Sequence, residues 1–381
     1  MSMNKINLLI DFSNIASKAL YVARKNSKSK VFPSSQRDKE TLIIQLHNAI
    51  CYEINNFKQI LKYVFICCDA KTTFRNKIYP DYKRTRKEKR DTLEDIDFNA
   101  YYKLLDEYIE YLKTIEFLTV VKYDELEADD LIAHIANDYY QKNISSIIIS
   151  SDKDLHQLLQ YDKETDTFII CYNNLHNKRS FTVTKHLLPS FTSERNVITN
   201  NIDVNTILEM MNDTHHIDDL MDYINALVDE LKITIKVEIP NIVIIDKLFY
   251  GDTSDNIPGI VPKDMKTKIK FTRRQLPEIL KFINLEIYNI IDELKIKHRD
   301  WLKYLAKRLE IGADELRIIW DNFKRNIELV YLNVNVYDIH VAFENKPFQI
   351  HKWKRDIPEM MKFILDIDDY DTVQKFKVFE Y

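Results

Sequence analysis

Glycine is almost missing from this chain. Only Gly251, Gly259 and Gly312 occur among 381 residues, and glycine is the residue that tolerates left-handed backbone and close approach, so each one carries information. Cysteine is scarce too. Cys51, Cys67, Cys68 and Cys171 form no C-x-x-C pair, which points to reduced buried thiols in a reducing compartment rather than disulfides or zinc ligands. There is no run of eighteen apolar residues and no charged-then-apolar leader, so neither a membrane span nor a signal peptide is expected. The chain reads as a soluble, cytoplasmic protein of one large or two modest domains. Its net charge of −4 argues against indiscriminate nucleic-acid binding, but the sum averages an acidic centre with basic segments elsewhere.

What the chain has instead is acid where apolar runs end. Ile6–Ile10 is an apolar run closing at Asp11, and Tyr63–Cys68 another closing at Asp69. The stretch Leu126–Leu159 holds five carboxylates near two element boundaries. Glu127, Asp129 and Asp130 stand where Leu131, Ile132, Ile135 and Tyr139 begin to recur at helical spacing. Asp152 and Asp154 follow Ile147–Ile149, a β-branched run too short for a helix and therefore a buried parallel strand. In open α/β sheets the ligand site lies outside the carboxyl ends of the strands, where these acids fall. Helix capping accounts for about two of the five; the rest would repel one another by several kcal/mol at ~4–5 Å unless cations neutralised them. Oxygen ligands without Cys or His favour a hard ion, Mg²⁺ or Mn²⁺, over zinc.

Between these acids the pattern alternates apolar runs with amphipathic helices, as over Leu42–Leu61 and Phe98–Leu112, so the fold class is α/β with a mostly parallel central sheet flanked by helices. Further strands are expected at Phe117–Val121 and Thr167–Tyr172. Lys71–Arg90 is densely basic with Phe74, Tyr79 and Tyr82 interleaved. Placed just after an acid-bearing strand, it suits phosphate and unpaired bases better than a merely solvated face does. Residues 187–240 read as an insertion of unknown role. Leu248–Ile260 spends two of the three glycines and adds Asp252 and Asp255; a helical half with Trp301, Leu305, Ile319, Trp320 and Phe323 follows, its tryptophans read as core. The division expected is an α/β core over 1–186 with a basic arch near 71–115, the insertion at 187–240, a helical region over 241–345 and a tail over 346–381.

Five segments, IDFSN around Asp11, CDAKTTFRNKIYPDYKRTR from Cys68, LEADDLIA from Leu126, SSDKDLHQLL from Ser150 and GDTSDNIPGI from Gly251, together resemble the structure-specific 5′-nucleases: flap endonucleases, the 5′-nuclease domain of bacterial DNA polymerases, and phage RNase H and 5′-exonucleases. The likeness spans most of the chain and looks strongest to the phage members. It implies a PIN-like core with a helical C-terminal DNA-binding region and a two-metal site. Asp11, Asp69, Glu127, Asp129, Asp130 and Asp152 would surround one Mg²⁺, with Asp69, Asp129 and Asp152 as inner ligands and Glu127 and Asp130 as outer ones, while Asp154, Asp252 and Asp255 would serve the second; Mn²⁺ would substitute. Catalysis would fall to Asp129 and Asp152 with Lys83 and Arg86 stabilising charge at the scissile phosphate. Arg75 would contact a further phosphate, Tyr79 and Tyr82 would stack on bases, and Lys263, Lys266, Arg273 and Arg274 would grip the duplex.

The resemblance further implies cleavage of branched or nicked DNA and RNA–DNA hybrids bearing a 5′ end, by a monomer without membrane attachment, in replication or repair. Two departures stand out, the first being that the insertion over 187–240 exceeds what the family usually has there. No glycine falls between Gly259 and Gly312, where most members carry a glycine-bearing turn that holds K⁺, so that K⁺ site is in doubt. The ending Val378-Phe379-Glu380-Tyr381 faintly resembles tails that engage a sliding clamp, against the simpler reading of a frayed end. A PIN-type ribonuclease is disfavoured by GDTSDNIPGI and the helical basic half, and a non-catalytic junction-binding protein by the presence of every expected acid. An aspartyl phosphatase would need an Asp two residues after Asp11, where Ser13 stands.

Overall fold

Asp11 ends a strand buried along its whole length. In the computed structural model, which describes residues 5–175, 178–191, 197–199, 219–287, 289–332, 346–350 and 356–365, β1 (Ile6–Asp11) lies between β2 (Leu61–Cys67) and β4 (Ser146–Ile149) and pairs in parallel with both. β3 (Leu118–Val121) extends the parallel run beyond β2, and β6 (Thr167–Leu175) extends it beyond β4. An apolar run with no polar alternation suits a strand covered on both faces, and that is how β1 and β4 sit. The register pairs Asp11 with Cys67 and Ile10 with Ile149, so the strand ends line up along one edge.

Helices cover the two faces. Leu8 and Ile10 pack in one core with α1 (Phe12–Asn26), α2 (Gln36–Phe57) and α5 (Phe98–Thr114). Leu9 and Phe65 point the other way, into a core built on α6 (Ala128–Tyr140). Between β2 and α5 lie only two short helices, α3 (Arg75–Ile78) and α4 (Arg84–Asp91), and α4 buries no residue. The basic arch is therefore shorter than 71–115, because α5 spends Tyr101, Leu104, Tyr108 and Leu112 on the core.

Beyond β6 the sheet continues. β5 (Gln160–Asp162) pairs with β6, β7 (Lys178–Val183) runs antiparallel to β6, and β8 (Val197–Thr199) and β9 (Thr234–Val237) complete nine strands in the order β3-β2-β1-β4-β6-β7-β9-β8, with β5 off the path. The segment read as an insertion thus supplies α7 (Asp219–Leu231) and β9, whose Ile224, Val228, Ile235 and Val237 join the main core. Residues 200–218 fall outside the described residues.

The second half builds its own core. α8 (Pro240–Tyr250) leads into a hairpin of β10 (Gly251–Asp252) and β11 (Ile257–Pro258). α9 (Leu276–Leu280), α10 (Ile290–Ile296), α11 (His298–Leu309) and α12 (Ala313–Val330) follow. Trp301 is fully buried against Phe249 and Phe323, with ring centroids 5.1 Å away in each case, and its indole N–H donates to Leu294 O at 3.0 Å. Removing such a ring costs about 3–5 kcal/mol. The stretch 261–272 is not helical and alternates exposed Lys263, Lys266, Lys268 and Lys270 with half-buried Met265, Thr267, Ile269 and Phe271. Part of the expected tail is docked: α13 (Ile357–Leu365) buries Met360, Met361 and Ile364 in the main core, since an apolar face of that width needs cover. Residues 366–381, with the clamp-like ending, lie outside the described residues.

Candidate metal centre

Three strands of the sheet, the start of α6 and one hairpin of the helical half bring their acids to the same edge. Asp11 closes β1 and caps α1, accepting from Asn14 N–H at 3.0 Å and from Ser150 Oγ–H at 2.7 Å. Asp69, past β2, accepts from Ala128 N–H at 2.7 Å at the start of α6. Asp130 accepts from the N–H of Glu127 at 3.0 Å, and Asp152 accepts from Asp154 N–H at 2.9 Å. Of the five acids over Leu126–Leu159, Asp130 and Asp152 bond helix-start N–H groups, in line with the two that sequence reasoning assigned to capping, and Asp11 and Asp69 outside that stretch do so as well. Capping and cation binding are not exclusive uses of a carboxylate, which has two oxygens.

Gly251 makes the fifth contribution possible. Its φ is +74°, and a Cβ there would lie 2.3 Å from Ile257 O, so only glycine fits this turn. The tight hairpin carries Asp252 and Asp255 back toward β4, and one oxygen each of Asp154, Asp252 and Asp255 lies within 4.8 Å of the others.

Electrostatics separate these acids. Burial, with Asp69 and Asp152 adding like charge, pushes the Asp11 carboxyl up to about 6. Asp129 is raised well above the ordinary range by burial and by Asp11 and Asp152. Asp154 is pushed up to about 6 by burial and Asp152, against the opposing pull of Lys247. Asp252 goes the other way: burial is outweighed by hydrogen bonds from Lys247 and Ser254, which hold it down at about 2. Buried carboxylates that cannot all ionise together are a site short of positive charge, and hard oxygen donors without Cys or His fit a hard divalent cation. These residues fit such an ion.

The cations around the cleft are placed differently from what the sequence suggested. Arg75 is not open to a phosphate: it is 2% exposed, donates to both oxygens of Asp130 at 2.7 Å and to Glu127 at 3.0 Å, and its Nε donates to Leu329 O at 3.0 Å. A guanidinium that satisfies two carboxylates and a helix-end carbonyl is a structural tie, and it takes up Asp130. Tyr82 offers no stacking face either. It is buried and joins the core of the helical half, and its hydroxyl donates to Glu127 at 2.9 Å and toward Asp255 at 3.3 Å. Tyr79 is half-buried against that core with Arg325 over its ring at 5.5 Å. Lys83 sits in left-handed backbone, φ 55°, which turns its ammonium onto Glu127 Oε1 at 2.5 Å. Burial and the charges of Lys83 and Arg75 compete at Glu127, and the cations win, lowering it. Arg86, half-exposed, pairs with Asp255 and donates to Ser254 O at 3.0 Å. Among the duplex-gripping residues expected, Lys263, Lys266 and Arg274 are exposed, but Arg273 is held by both oxygens of Asp246 at 2.7 and 2.8 Å.

Known proteins place the chain. Residues 7–196, about half of it, match the family model described as the 5′-3′ exonuclease N-terminal resolvase-like domain. The chain belongs to the 5′-nuclease family, and it is a nuclease. It is similar to the 5′-3′ exonucleases of two Buchnera aphidicola subspecies: 25% identical over 280 residues to that of subsp. Schizaphis graminum, covering 73% of each chain, and 24% over 240 residues to that of subsp. Acyrthosiphon pisum, covering 63% of this chain and 60% of the relative. Its fold is like that of the bacteriophage T5 flap endonuclease in a crystal structure described as a pseudo-enzyme–product complex with DNA and metal ions. The TM-score is 0.50, at 15% identity, over 98% of this chain and 97% of that one.

Two residues of this 5′-nuclease escaped sequence reasoning. Lys247, in the last turn of α8, pairs with Asp154 and donates to Asp252 Oδ2 at 2.6 Å; the only signal was the one lysine of a mostly apolar helix, five residues before Asp252. Gln157 ties the halves together, donating to Val330 O at 3.2 Å and accepting from Leu332 N–H at 2.9 Å; it lies inside the SSDKDLHQLL segment, where sequence reasoning gave it no role. No helix among the described residues is long and apolar enough to cross a membrane.

Proposed function

We propose that this 5′-nuclease is a Mg²⁺-dependent, structure-specific phosphodiesterase that cuts DNA flaps or removes RNA from RNA–DNA hybrids near a 5′ end during replication or repair. The single observation that carries the reading is the convergence of carboxylates from five segments on one strand edge, with Asp154, Asp252 and Asp255 within 4.8 Å of one another and Asp11 and Asp129 pushed up by burial and by their acidic neighbours. Asp11, Asp69, Asp129 and Asp152 would hold one divalent ion and Asp154, Asp252 and Asp255 the other. When bound, such ions supply Lewis acidity and neutralise charge at a phosphate.

The chain's own residues would do the rest. Lys83 and Arg86 stand beside the acids on the arch side, so a phosphodiester entering the cleft meets two cations that neutralise its oxyanions in a partly dehydrated place, where such charge is worth most. Tyr82 and Arg75 keep Glu127 ionised and oriented rather than touching substrate. The exposed lysines Lys263 and Lys266, with Arg274, present cations to a duplex backbone without reading sequence.

The test is cleavage of a 5′-labelled flap duplex and of a 5′-RNA–DNA hybrid, with and without Mg²⁺, by the wild type and Asp152→Asn. Metal-dependent cutting near the junction that Asp152→Asn abolishes is the expected result, and the preferred substrate emerges from the same gel. Metal-independent cutting, or cutting that survives the substitution, would sink this reading.

A further inference from the structure

The second acidic group is already neutralised from inside the protein. Lys247 is carried by α8, whose Ile244, Ile245, Leu248 and Phe249 are buried in the core of the helical half, so the helix cannot rotate to take the lysine elsewhere. Its ammonium, 17% exposed, is shared between Asp154 and Asp252. An ammonium has three donors and no acceptor, and with two carboxylates of a trio that meet within 4.8 Å it stands where a cation serving that trio would stand. Asp255, the third, is met by Arg86 and, at 3.9 Å, by Lys83. Among the described residues no lysine forms an ion pair with the other group: Asp11 is bonded by Ser150 and Asn14, and Asp69 by Ala128 N–H.

We propose that Lys247 is a built-in counter-cation of the second ion position. It holds Asp154 and Asp252 together when no divalent ion is there, and it must leave them for the ion to bind. The two positions then fill in order: the strand-end group takes an ion at low concentration, and the hairpin group fills only when the ion outcompetes a tethered charge. The inference rests on the two-ion reading above and adds to it a residue that sets the affinity of one ion.

The experiment is a Mn²⁺ titration of the full chain without nucleic acid, following free ion by electron paramagnetic resonance, for the wild type, Lys247→Met, Lys247→Gln and Lys247→Arg. The wild type is expected to bind two ions in two affinity classes. The neutral variants should tighten the weaker class by roughly tenfold, the size expected for no longer breaking one partly buried ion pair, and leave the tighter class unchanged; Lys247→Arg should keep the wild-type separation. Lys247→Gln retains a hydrogen-bonding group and serves if Lys247→Met does not fold. A weaker class that is unchanged or loosened in a folded neutral variant overturns the proposal while leaving two ions bound. Fewer than two ions in every protein would instead remove the two-ion reading, and this inference with it.

Discussion

Asp11 closes β1, Asp69 and Asp152 lie just past β2 and β4, and Asp129 stands in the first turn of α6, none of them ion-paired to a lysine or arginine among the described residues, while Asp154, two residues after Asp152, and the hairpin's Asp252 and Asp255 are met by Lys247, Lys83 and Arg86. The residue type is the same and the support is not. Strand-end acids are positioned by the sheet ladder and by helix-start N–H groups, so they keep their places even though burial and like charge push Asp11 and Asp129 upward. The hairpin acids hang on a two-residue ladder turned at Gly251, and ion pairs do for them what hydrogen-bonded backbone does for the others. A site can thus hold several buried carboxylates in two ways: by a scaffold rigid enough to tolerate repulsion, or by cations that relieve it.

The comparison can be broken most sharply by removing one charge from each group. Asp129→Asn is expected to lower cleavage by about 10²-fold or more, and at the same time to leave the melting temperature in chelator unchanged or raised, because it removes a repelling charge. Asp252→Asn should lower that melting temperature instead, because Lys247 loses a partner. Equal stability effects from the two substitutions, read by thermal melting without metal, would end the distinction.

Arg75 and Arg273 sharpen it next. Both are paired arginines, but Arg75→Met leaves Asp130 without its cation and Glu127 with Lys83 alone, and should cost about 3–5 kcal/mol in urea unfolding. Arg273→Met breaks an exposed pair and should cost at most about 1 kcal/mol.

A pH series gives a smaller effect. Asp11 and Asp154 have folded-state values of about 6 against an ordinary 3.8, so between those values the folded protein binds more protons than the unfolded chain. Their contribution to stability is therefore present at low pH and lost as pH rises through about 6. Added Mg²⁺ should raise the melting temperature clearly at pH 7.5 and far less at pH 5, where protons already occupy these groups; equal shifts at both would contradict the assignment. The smallest effect lies away from the cleft. Glu53 is pushed up to about 7 by burial, with Asn174 donating to it at 3.2 Å, and the same sign argument makes its contribution fade between pH 4.5 and 7. Glu53→Gln should flatten only that part of the melting profile and leave the Mg²⁺ response intact.

Much of the molecule can be read without coordinates. Strands such as Ile6–Ile10 and Ile147–Ile149 were legible because a strand buried on both faces has no polar alternation, and their acids were legible because chemistry gathers where such strands end. The docking of α13 and the extension of the sheet through β7 and β9 were not, since an amphipathic piece declares that it needs cover but not which surface provides it.

Composition and order alone therefore specify a parallel α/β core, a set of carboxylates at strand ends and a glycine-bearing segment that adds Asp252 and Asp255. Three-dimensional packing alone decides what becomes of the positive charges. Arg75, Lys83, Arg86 and Lys247 look alike in the chain, because charge is a property of the residue whereas burial and partnership depend on elements far apart in sequence: Arg75 reaches Leu329, 254 residues away, and Lys247 reaches Asp154, 93 residues away. Whether a cation waits for a phosphate, ties two halves together or stands in for an ion is settled only when those distant segments meet.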